Sequence, residues 1–184
     1  MYMNTDQNIK IAVFANGCFW CTEAVFSMLK GVISVKPGYT GGNVENPTYE
    51  QVGNGNTGHA EAIEIKYDAS VISYDDLLAV YFNTHDPTTV NRQGNDIGTQ
   101  YRSVIFFSDD EQKNKAESLI KELNDSHAYD KPVVTEVQPL QKFYEAEDYH
   151  HDYYKNNKEQ GYCQLVIAPK LEKLQKRFAN LLKP

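Results

Sequence analysis

Three cysteines carry the reactive potential of this chain: Cys18, Cys21 and Cys163. Cys18 follows the short apolar run Ile11-Ala12-Val13-Phe14-Ala15 and the break Asn16-Gly17, and it precedes a stretch with helical spacing. A thiol at a strand-to-helix junction meets unpaired backbone N–H groups and the positive end of the helix dipole, which favour thiolate over thiol. Gly17 allows the tight turn that exposes the sulfur. A buried structural cysteine is the plain alternative; the glycine before Cys18, the junction, and the large neighbours Phe19 and Trp20 point instead to a nucleophile. Cys18-Phe19-Trp20-Cys21 is also a Cys-x-x-Cys, open to two further readings. One is a thioredoxin-like redox pair. The other is half of a zinc site completed by Cys163 and His150 or His151. Zinc is disfavoured because no second close pair exists and two bulky rings separate the candidate ligands. The thioredoxin-like pair is disfavoured because a long Gly/Asn loop, not a βαβ continuation, follows.

Such a thiol needs a folded, reducing setting, and the composition supplies one. The chain has 184 residues, 41% hydrophobic and 23% charged, enough for one domain with a substantial core. A net charge of −7 argues against a nucleic-acid footprint or an anionic-membrane patch. No apolar run is long enough to span a bilayer. The segment up to Cys18 superficially resembles a lipoprotein signal, but its apolar run is short and Asp6 precedes it with Lys10 as the one lysine. An odd cysteine number makes a poor disulfide framework, so the expected compartment is the cytoplasm.

The elements that must hold the thiol follow from periodicity. Ile9 to Ala15 predicts a strand, Phe19 to Leu29 a helix, and Val32 to Tyr39 a second strand interrupted at Pro37-Gly38. Residues 1–8 are expected to be a loose arm. Thr40 to Gly58 is rich in Gly and Asn and long for a compact domain, which marks a functional loop with a short helix near Pro47 to Val52. Glu61 to Tyr67 alternates, so Glu61 shares a face with Ile63, Ile65 and Tyr67. Ser73 and Asp76 predict a capping box for the next helix. A second irregular stretch covers Asp86 to Gln100, and Ser103 to Phe107 reads as a strand. Ser108 and Glu111 are expected to cap a helix striped by Ala116, Leu119, Ile120 and Leu123. Val133 to Val137 reads as a strand, Tyr144 to Asn156 as a Tyr- and His-rich helix, and Lys170 to Leu182 as a last amphipathic helix. Strands and helices mix without a regular βαβ rhythm, which predicts an α+β fold with one mixed sheet.

Gly17-Cys18-Phe19-Trp20 resembles the active-site signature of the A-type peptide methionine sulfoxide reductases. In the family's order follow Gly38-Tyr39-Thr40-Gly41-Gly42, Asn46-Pro47-Thr48-Tyr49, Thr57-Gly58-His59-Ala60-Glu61 and Gly94-Asn95-Asp96-Ile97-Gly98-Thr99-Gln100-Tyr101-Arg102-Ser103. Ala146-Glu147-Asp148-Tyr149-His150 and Gly161-Tyr162-Cys163 complete the series. Six motifs follow the first in order, and the resemblance covers the chain from about Ile9 to the final helix. The resemblance implies a single two-layer sandwich domain with a ferredoxin-like core. It also implies reduction of methionine S-sulfoxide, protein-bound or free, as oxidative-damage repair, with no bound cofactor and thioredoxin as the external dithiol.

The same resemblance distributes the roles. Cys18 becomes the nucleophile and Glu61 the general acid; a carboxyl on an apolar face loses solvation and stays protonated near neutrality. Tyr49 and Tyr101 become hydroxyl donors to the sulfoxide oxygen, Asp96 a hydrogen-bonding partner, and Phe19 and Trp20 the walls of a pocket for the substrate methyl. Attack leaves a sulfenic acid on Cys18 that a second thiol converts to a disulfide. Cys163 matches the family's resolving cysteine. Cys21 stands where many relatives have glycine, one helical turn from Cys18, so both remain open. His59, His150 and His151 are expected to serve only in loop and helix hydrogen bonding. A disulfide oxidoreductase using Cys18 and Cys21, and a peptide-binding module built on the Tyr-rich loops, are the competing functions.

Overall fold

The strand expected from the apolar run after Asn8 is the middle of a six-stranded sheet in the computed structural model, which describes residues 5–184. A single 3-10 turn, Thr5–Asn8, leads into it, and the part of the loose arm expected over residues 1–4 lies outside the described residues. The elements run β1 (Ile9–Asn16), α1 (Phe19–Ser27), β2 (Val32–Thr40), α2 (Tyr49–Gly53), β3 (Ala60–Asp68) and α3 (Tyr74–Asn83). They continue with the two-residue strands β4 (Arg92–Gln93) and β5 (Asp96–Ile97), then β6 (Ser103–Phe107), α4 (Asp110–Asp125), β7 (Glu136–Pro139) and β8 (Tyr144–Glu145). A short α5 (Tyr153–Asn156), a π-turn over Cys163–Ile167 and α6 (Ala168–Arg177) complete the chain's regular structure.

The sheet order is β7-β6-β1-β3-β2-β8, antiparallel throughout except for the parallel pair β6–β7. The fold is therefore α+β, single-domain, with a mixed sheet. Both faces of the central strand are buried. Ala12 and Phe14 join the larger apolar cluster under α1, α3, α4 and α6, while Val13 and Ala15 join a smaller one closed by Leu140 and Phe143. β3 obeys the same parity: Ile63, Ile65 and Tyr67 face the helices, and Ala60 and Ala62 face the small cluster. Phe14 packs at 5.0 Å from Tyr81 and 5.6 Å from Phe26, ring centre to ring centre, which ties β1 to α3 and α1. Its truncation to alanine would cost about 3–5 kcal/mol.

Several sequence expectations shift in position. β2 runs unbroken through Pro37-Gly38, because Pro37 still offers its carbonyl, which accepts from the Ala146 N–H at 2.9 Å. The capping box of α3 forms as expected from Ser73 and Asp76. The cap of α4 is Asp109, one residue later than expected, since its carboxylate accepts from the Gln112 N–H. The strand expected over Val133 to Val137 begins at Glu136, and the last helix covers Ala168–Arg177. The helix expected over Tyr144 to Asn156 does not form. Tyr144 and Glu145 pair with Tyr39 and Gly38, and Asp152 takes a left-handed conformation at φ 52°, so only a turn of helix follows. The crowd of Tyr and His there serves an aromatic cluster rather than a helical stripe.

Candidate active site

Cys18 is the N-cap residue of α1 and sits where β1 ends. Its carbonyl accepts from the Cys21 N–H at 3.1 Å, and the neighbouring turn is fixed by Thr22, whose hydroxyl donates to Asn16 Oδ1 at 2.6 Å. Gly17 takes φ +109°, and a Cβ there would lie 2.8 Å from the Gln93 side chain, so a glycine is required for the turn. The β4–β5 hairpin thus presses against the Gly17-Cys18 turn, which no sequence pattern indicated.

Glu61 enters from the next strand. It is 2% exposed, and its Oε2 accepts from the Phe19 N–H at 3.1 Å, the free donor at the start of α1. Burial pushes its carboxyl up to about 8 against the pull of that hydrogen bond. The parity reading of β3 is thus realised: a carboxylic acid, protonated at neutrality, beside the thiol-bearing turn. The expected effect of the helix start on Cys18 is overturned. Burial pushes the Cys18 thiol up, with Cys21 and Glu61 adding to it, and these outweigh the lowering by the Trp20 N–H. The Cys21 thiol comes down to about 7, chiefly because it is hydrogen-bonded with Cys18. The two coupled thiols therefore share one readily lost proton. Cys18, Cys21 and Cys163 are all free thiols. Cys163 is fully buried at the start of the π-turn that packs against α1, and burial raises its thiol.

The aromatic residues gather over α1. Phe19 is fully buried between Tyr39, Tyr49 and His150. Trp20 is half-buried; its ring stacks on Tyr153 at 3.7 Å and 6° between planes, with Tyr162 at its edge. The Trp20 indole N–H donates to His150 Nδ1 at 2.9 Å, and His150 is itself fully buried. From sequence only loop or helix hydrogen bonding is expected of His150; it also fixes the Trp20 indole. His59 does keep to loop duty: Nδ1 accepts from the Gly42 N–H at 3.0 Å and Nε2 donates to the Val44 carbonyl at 2.7 Å.

Tyr49 and Tyr101 are half-buried, and burial holds both hydroxyls protonated. Tyr49 is anchored by Glu147, whose carboxylate accepts from the Tyr49 N–H at 3.0 Å and from the Tyr39 hydroxyl at 2.9 Å. Asp96, on β5, accepts from the Tyr162 hydroxyl at 2.6 Å, and that oxygen lies 3.7 Å from Cys21 Sγ. Tyr162, Tyr153 and Glu147 were not singled out from sequence, and His150 was weighed only as a zinc ligand or a hydrogen-bonding residue. Tyr162, His150 and Glu147 lay inside motifs already noted, so adjacency to Cys163 and Tyr149 was the available signal; Tyr153 had none. Cys18, Cys21, Glu61, Tyr49, Tyr101, Asp96, Phe19, Trp20 and Cys163 all come to one end of the sheet around α1. Among the described residues no group of three or more His, Cys, Asp or Glu is placed to hold a metal ion, and no helix is long and apolar enough to cross a membrane.

A buried thiol pair beside a protonated carboxylic acid and an aromatic wall suits reduction of a polar sulfur centre, and comparison with known proteins gives it a family. A model of the peptide methionine sulfoxide reductase family matches residues 10–182, and the chain belongs to that family. A peptide methionine sulfoxide reductase of Saccharolobus solfataricus is 54% identical over 175 residues, covering 95% of this chain and 98% of the relative. A Thermus thermophilus enzyme with the same description is 51% identical over the same shares of both chains. Among solved structures, Mxr1 of Saccharomyces cerevisiae in reduced form superposes with a TM-score of 0.80 at 32% identity, covering 89% of this chain and 92% of that one. The chain is an oxidoreductase that reduces methionine sulfoxide at the expense of thiols.

Proposed function

We propose that Cys18 attacks the sulfur of methionine S-sulfoxide while Glu61 gives its proton to the departing oxygen. The observation that carries this is the Glu61 carboxyl, buried, protonated at neutrality and fastened to the first N–H of the helix that Cys18 caps. A neutral acid there supplies the proton a sulfoxide oxygen needs as negative charge grows on it. Tyr49 and Tyr101 donate to the same oxygen, their hydroxyls being held protonated. Asp96 orients Tyr162 against Cys21. Phe19 and Trp20 wall the apolar pocket for the methyl group.

The steps balance. The S–O bond of the substrate breaks, a Cys18 S–O bond forms, and methionine leaves with Cys18 as sulfenic acid. The Cys163 thiol then displaces water from that sulfur to form a Cys18–Cys163 disulfide; Cys21, one turn away, is the alternative thiol. An external dithiol, thioredoxin, reduces the disulfide and is itself oxidised. Mxr1 has also been solved in complex with Trx2, and that fold overlays this chain with a TM-score of 0.57 at 22% identity, a likeness of fold alone. The substrate includes free and protein-bound sulfoxide, and no cofactor stays bound. Three free thiols suit the cytoplasm. We further read residues 1–184 as one domain, a two-layer sandwich with a ferredoxin-like core. The β1-α1-β2-β3-α3-β6 succession with spatial order β6-β1-β3-β2 supports that topology.

Turnover of the two resolved sulfoxide epimers with a dithiol tests the reading. The S epimer is expected to be reduced and the R epimer left, with Cys18→Ser inactive on both; activity surviving that substitution would refute the nucleophile. Disulfide mapping after stoichiometric oxidation is expected to return Cys18–Cys163, and a Cys18–Cys21 link would reassign the resolving thiol.

A further inference from the structure

Tyr101 is presented by a single 3-10 turn, Thr99–Tyr101, between β5 and β6. A turn this short is not stable by itself, because the cost of fixing its dihedrals outweighs so few hydrogen bonds. Its bearing must come from neighbours, and two side chains of the same stretch reach out to them. Arg102, which ends the turn, folds its guanidinium back. Nη1 donates to the Thr99 carbonyl at 2.9 Å, Nη2 to the Gly58 carbonyl at 2.9 Å, and Nε to Glu136 Oε2 at 3.0 Å. Gln100, 6% exposed, reaches the other way, and its Nε2 donates to the Gly53 carbonyl at 3.2 Å.

The far ends of these bonds carry the rest of the site. Gly58 lies three residues before Glu61. Its loop is itself fixed, since the Asn43 N–H donates to the Thr57 carbonyl at 3.0 Å and His59 is bonded at both ring nitrogens. Gly53 closes α2, the helix that Tyr49 begins. The turn of one tyrosine is thus fastened to the approach of the acid on one side and to the helix of the other tyrosine on the other. A Cβ on Gly41 would stand 3.3 Å from Arg102 Nη2, so backbone also closes in on the guanidinium. A planar guanidinium, with its donors in a fixed fork, serves acceptors in several directions at once; a lysine ammonium is a single point of charge.

We infer that Arg102 and Gln100 are positioning residues for sulfoxide reduction: they lock the Tyr101 turn to the Glu61 loop and to α2, so that Tyr101, Tyr49 and Glu61 converge on one oxygen. This role rests on the reading of those three residues as the donors to the sulfoxide oxygen. The hydrogen bonds of Arg102 end on two carbonyls and Glu136, and that of Gln100 on a carbonyl, so both side chains act through the tyrosine they hold. A donor aimed at charge that grows in the transition state must be held closely, because 1 Å of misplacement can cost about 10²-fold in rate.

The experiment measures single-turnover reduction of a methionine S-sulfoxide peptide by the full chain, by Arg102→Lys, by Tyr101→Phe and by the double variant. Thermal melts set a temperature at which all four are folded. Tyr101→Phe is expected to lower the saturating first-turnover rate by about 10²-fold, the worth of one donor to a developing oxyanion. Arg102→Lys keeps the charge but loses the fork. It is expected to lower that rate by about tenfold with KM within about twofold, because the misplaced donor matters in the transition state rather than in binding. In the Tyr101→Phe background the same substitution is expected to change the rate by less than about twofold, since no hydroxyl is left to misplace. A general loss of packing would not depend on the Tyr101 hydroxyl.

A wild-type rate in Arg102→Lys overturns the inference, as does a loss that persists undiminished in the Tyr101→Phe background. Should Arg102→Lys fail to fold, Gln100→Met takes its place in the cycle. A loss of about fivefold, the size of one net hydrogen bond, that disappears with the Tyr101 hydroxyl supports the inference; a wild-type rate or an undiminished loss overturns it. Tyr101→Phe keeps the two readings apart. If by itself it leaves the rate unchanged, the donor reading of Tyr101 fails and the positioning role with it. If it slows turnover while Arg102→Lys and Gln100→Met do not, the donor reading stands and the failure is confined to Arg102 and Gln100.

Discussion

Two polar clusters border the same large core, and they are built from similar parts. One is the thiol site. The other joins Tyr81 and His85 of α3, Ser103 of β6 and Thr135. There His85 Nδ1 donates to the Tyr81 carbonyl at 2.6 Å and Nε2 accepts from the Ser103 hydroxyl at 2.8 Å. Ser103 Oγ also lies 2.8 Å from both the Tyr81 hydroxyl and Thr135 Oγ1, and Tyr81 donates onward to the Ala15 carbonyl. A serine hydrogen-bonded to a histidine could be taken for a nucleophile and base. The protons decide otherwise. Burial takes His85 down to about 3, so it stays neutral, and every group has a settled partner. At the thiol site Glu61 sits near 8, Cys21 near 7, and the buried Nε2 of His150 has no partner. A cavity of about 550 Å³ opens beside His85, lined by Asp86, Lys131, Lys170 and Lys173, so room alone does not mark the reactive end. Lys170 acts on both clusters, lowering Cys21 and His85 alike. Reactivity here follows from protons left near their balance point at physiological pH.

The sharpest way to break this contrast is to remove the labile proton. Glu61→Gln is expected to lower kcat/KM for the S-sulfoxide by about 10²- to 10⁴-fold, the usual worth of a positioned acid. In the wild type the acid is lost as the pH rises through about 8, so kcat/KM falls above that pH, and the variant lacks this limb. Stability moves in the opposite direction. A carboxyl raised from 4.5 to about 8 contributes stability that is complete below pH 4.5 and lost as the pH rises through about 8. The melting temperature of Glu61→Gln should therefore gain on the wild type between pH 6 and 9. A variant that loses activity and melts lower across that range would make Glu61 a structural carboxyl.

The converse substitution belongs to the settled cluster. Ser103→Ala leaves His85 Nε2 without its donor in a dry site, which costs about 1–3 kcal/mol. For a chain of this size each kcal/mol shifts the melting temperature by about 2–4 °C. Sulfoxide turnover at a temperature where both proteins are folded is expected to stay within about twofold of wild type. A large fall in turnover there would join the two clusters into one functional unit.

How far each cluster could be foreseen differs for a physical reason. The Cys18 junction and the Glu61 parity were legible because they depend on local periodicity: a strand of alternating residues puts Glu61 on the buried face whatever else folds around it. The direction of the Cys18 shift was not legible, because desolvation depends on what covers the sulfur once the chain has folded. The same holds for the 144–156 segment. Its polar and aromatic residues read as a helix until β2 takes Tyr144–Glu145 and α1 takes His150 and Tyr153. The Ser103 network was invisible for the same reason, since it joins α3, β6, β1 and the irregular stretch at Thr135 through side chains that each look ordinary where they stand.

The smallest expected effect compares one hydroxyl in each cluster. Tyr162 donates to Asp96 at 2.6 Å and lies 3.7 Å from Cys21 Sγ, where it helps to lower that thiol. Tyr81 donates to the Ala15 carbonyl and lies 2.8 Å from Ser103 Oγ, where nothing titrates near neutrality. Removing the buried Tyr81 hydroxyl costs about 1 kcal/mol by the net worth of a hydrogen bond, whereas water replaces much of what the part-buried Tyr162 hydroxyl contributes, so the two losses are read on different instruments. Tyr162→Phe is expected to raise the midpoint of the thiol titration above its value near 7 and to slow turnover by about fivefold, with little change in melting temperature. Tyr81→Phe should lower the melting temperature by about 2–4 °C and leave the thiol titration where it was. Thiolate absorbance against pH and thermal melts of both variants check the pair. If Tyr162→Phe changes only the melt, the distinction between a settled and an unsettled cluster does not extend to Tyr162, and the labile proton is confined to Cys18, Cys21 and Glu61.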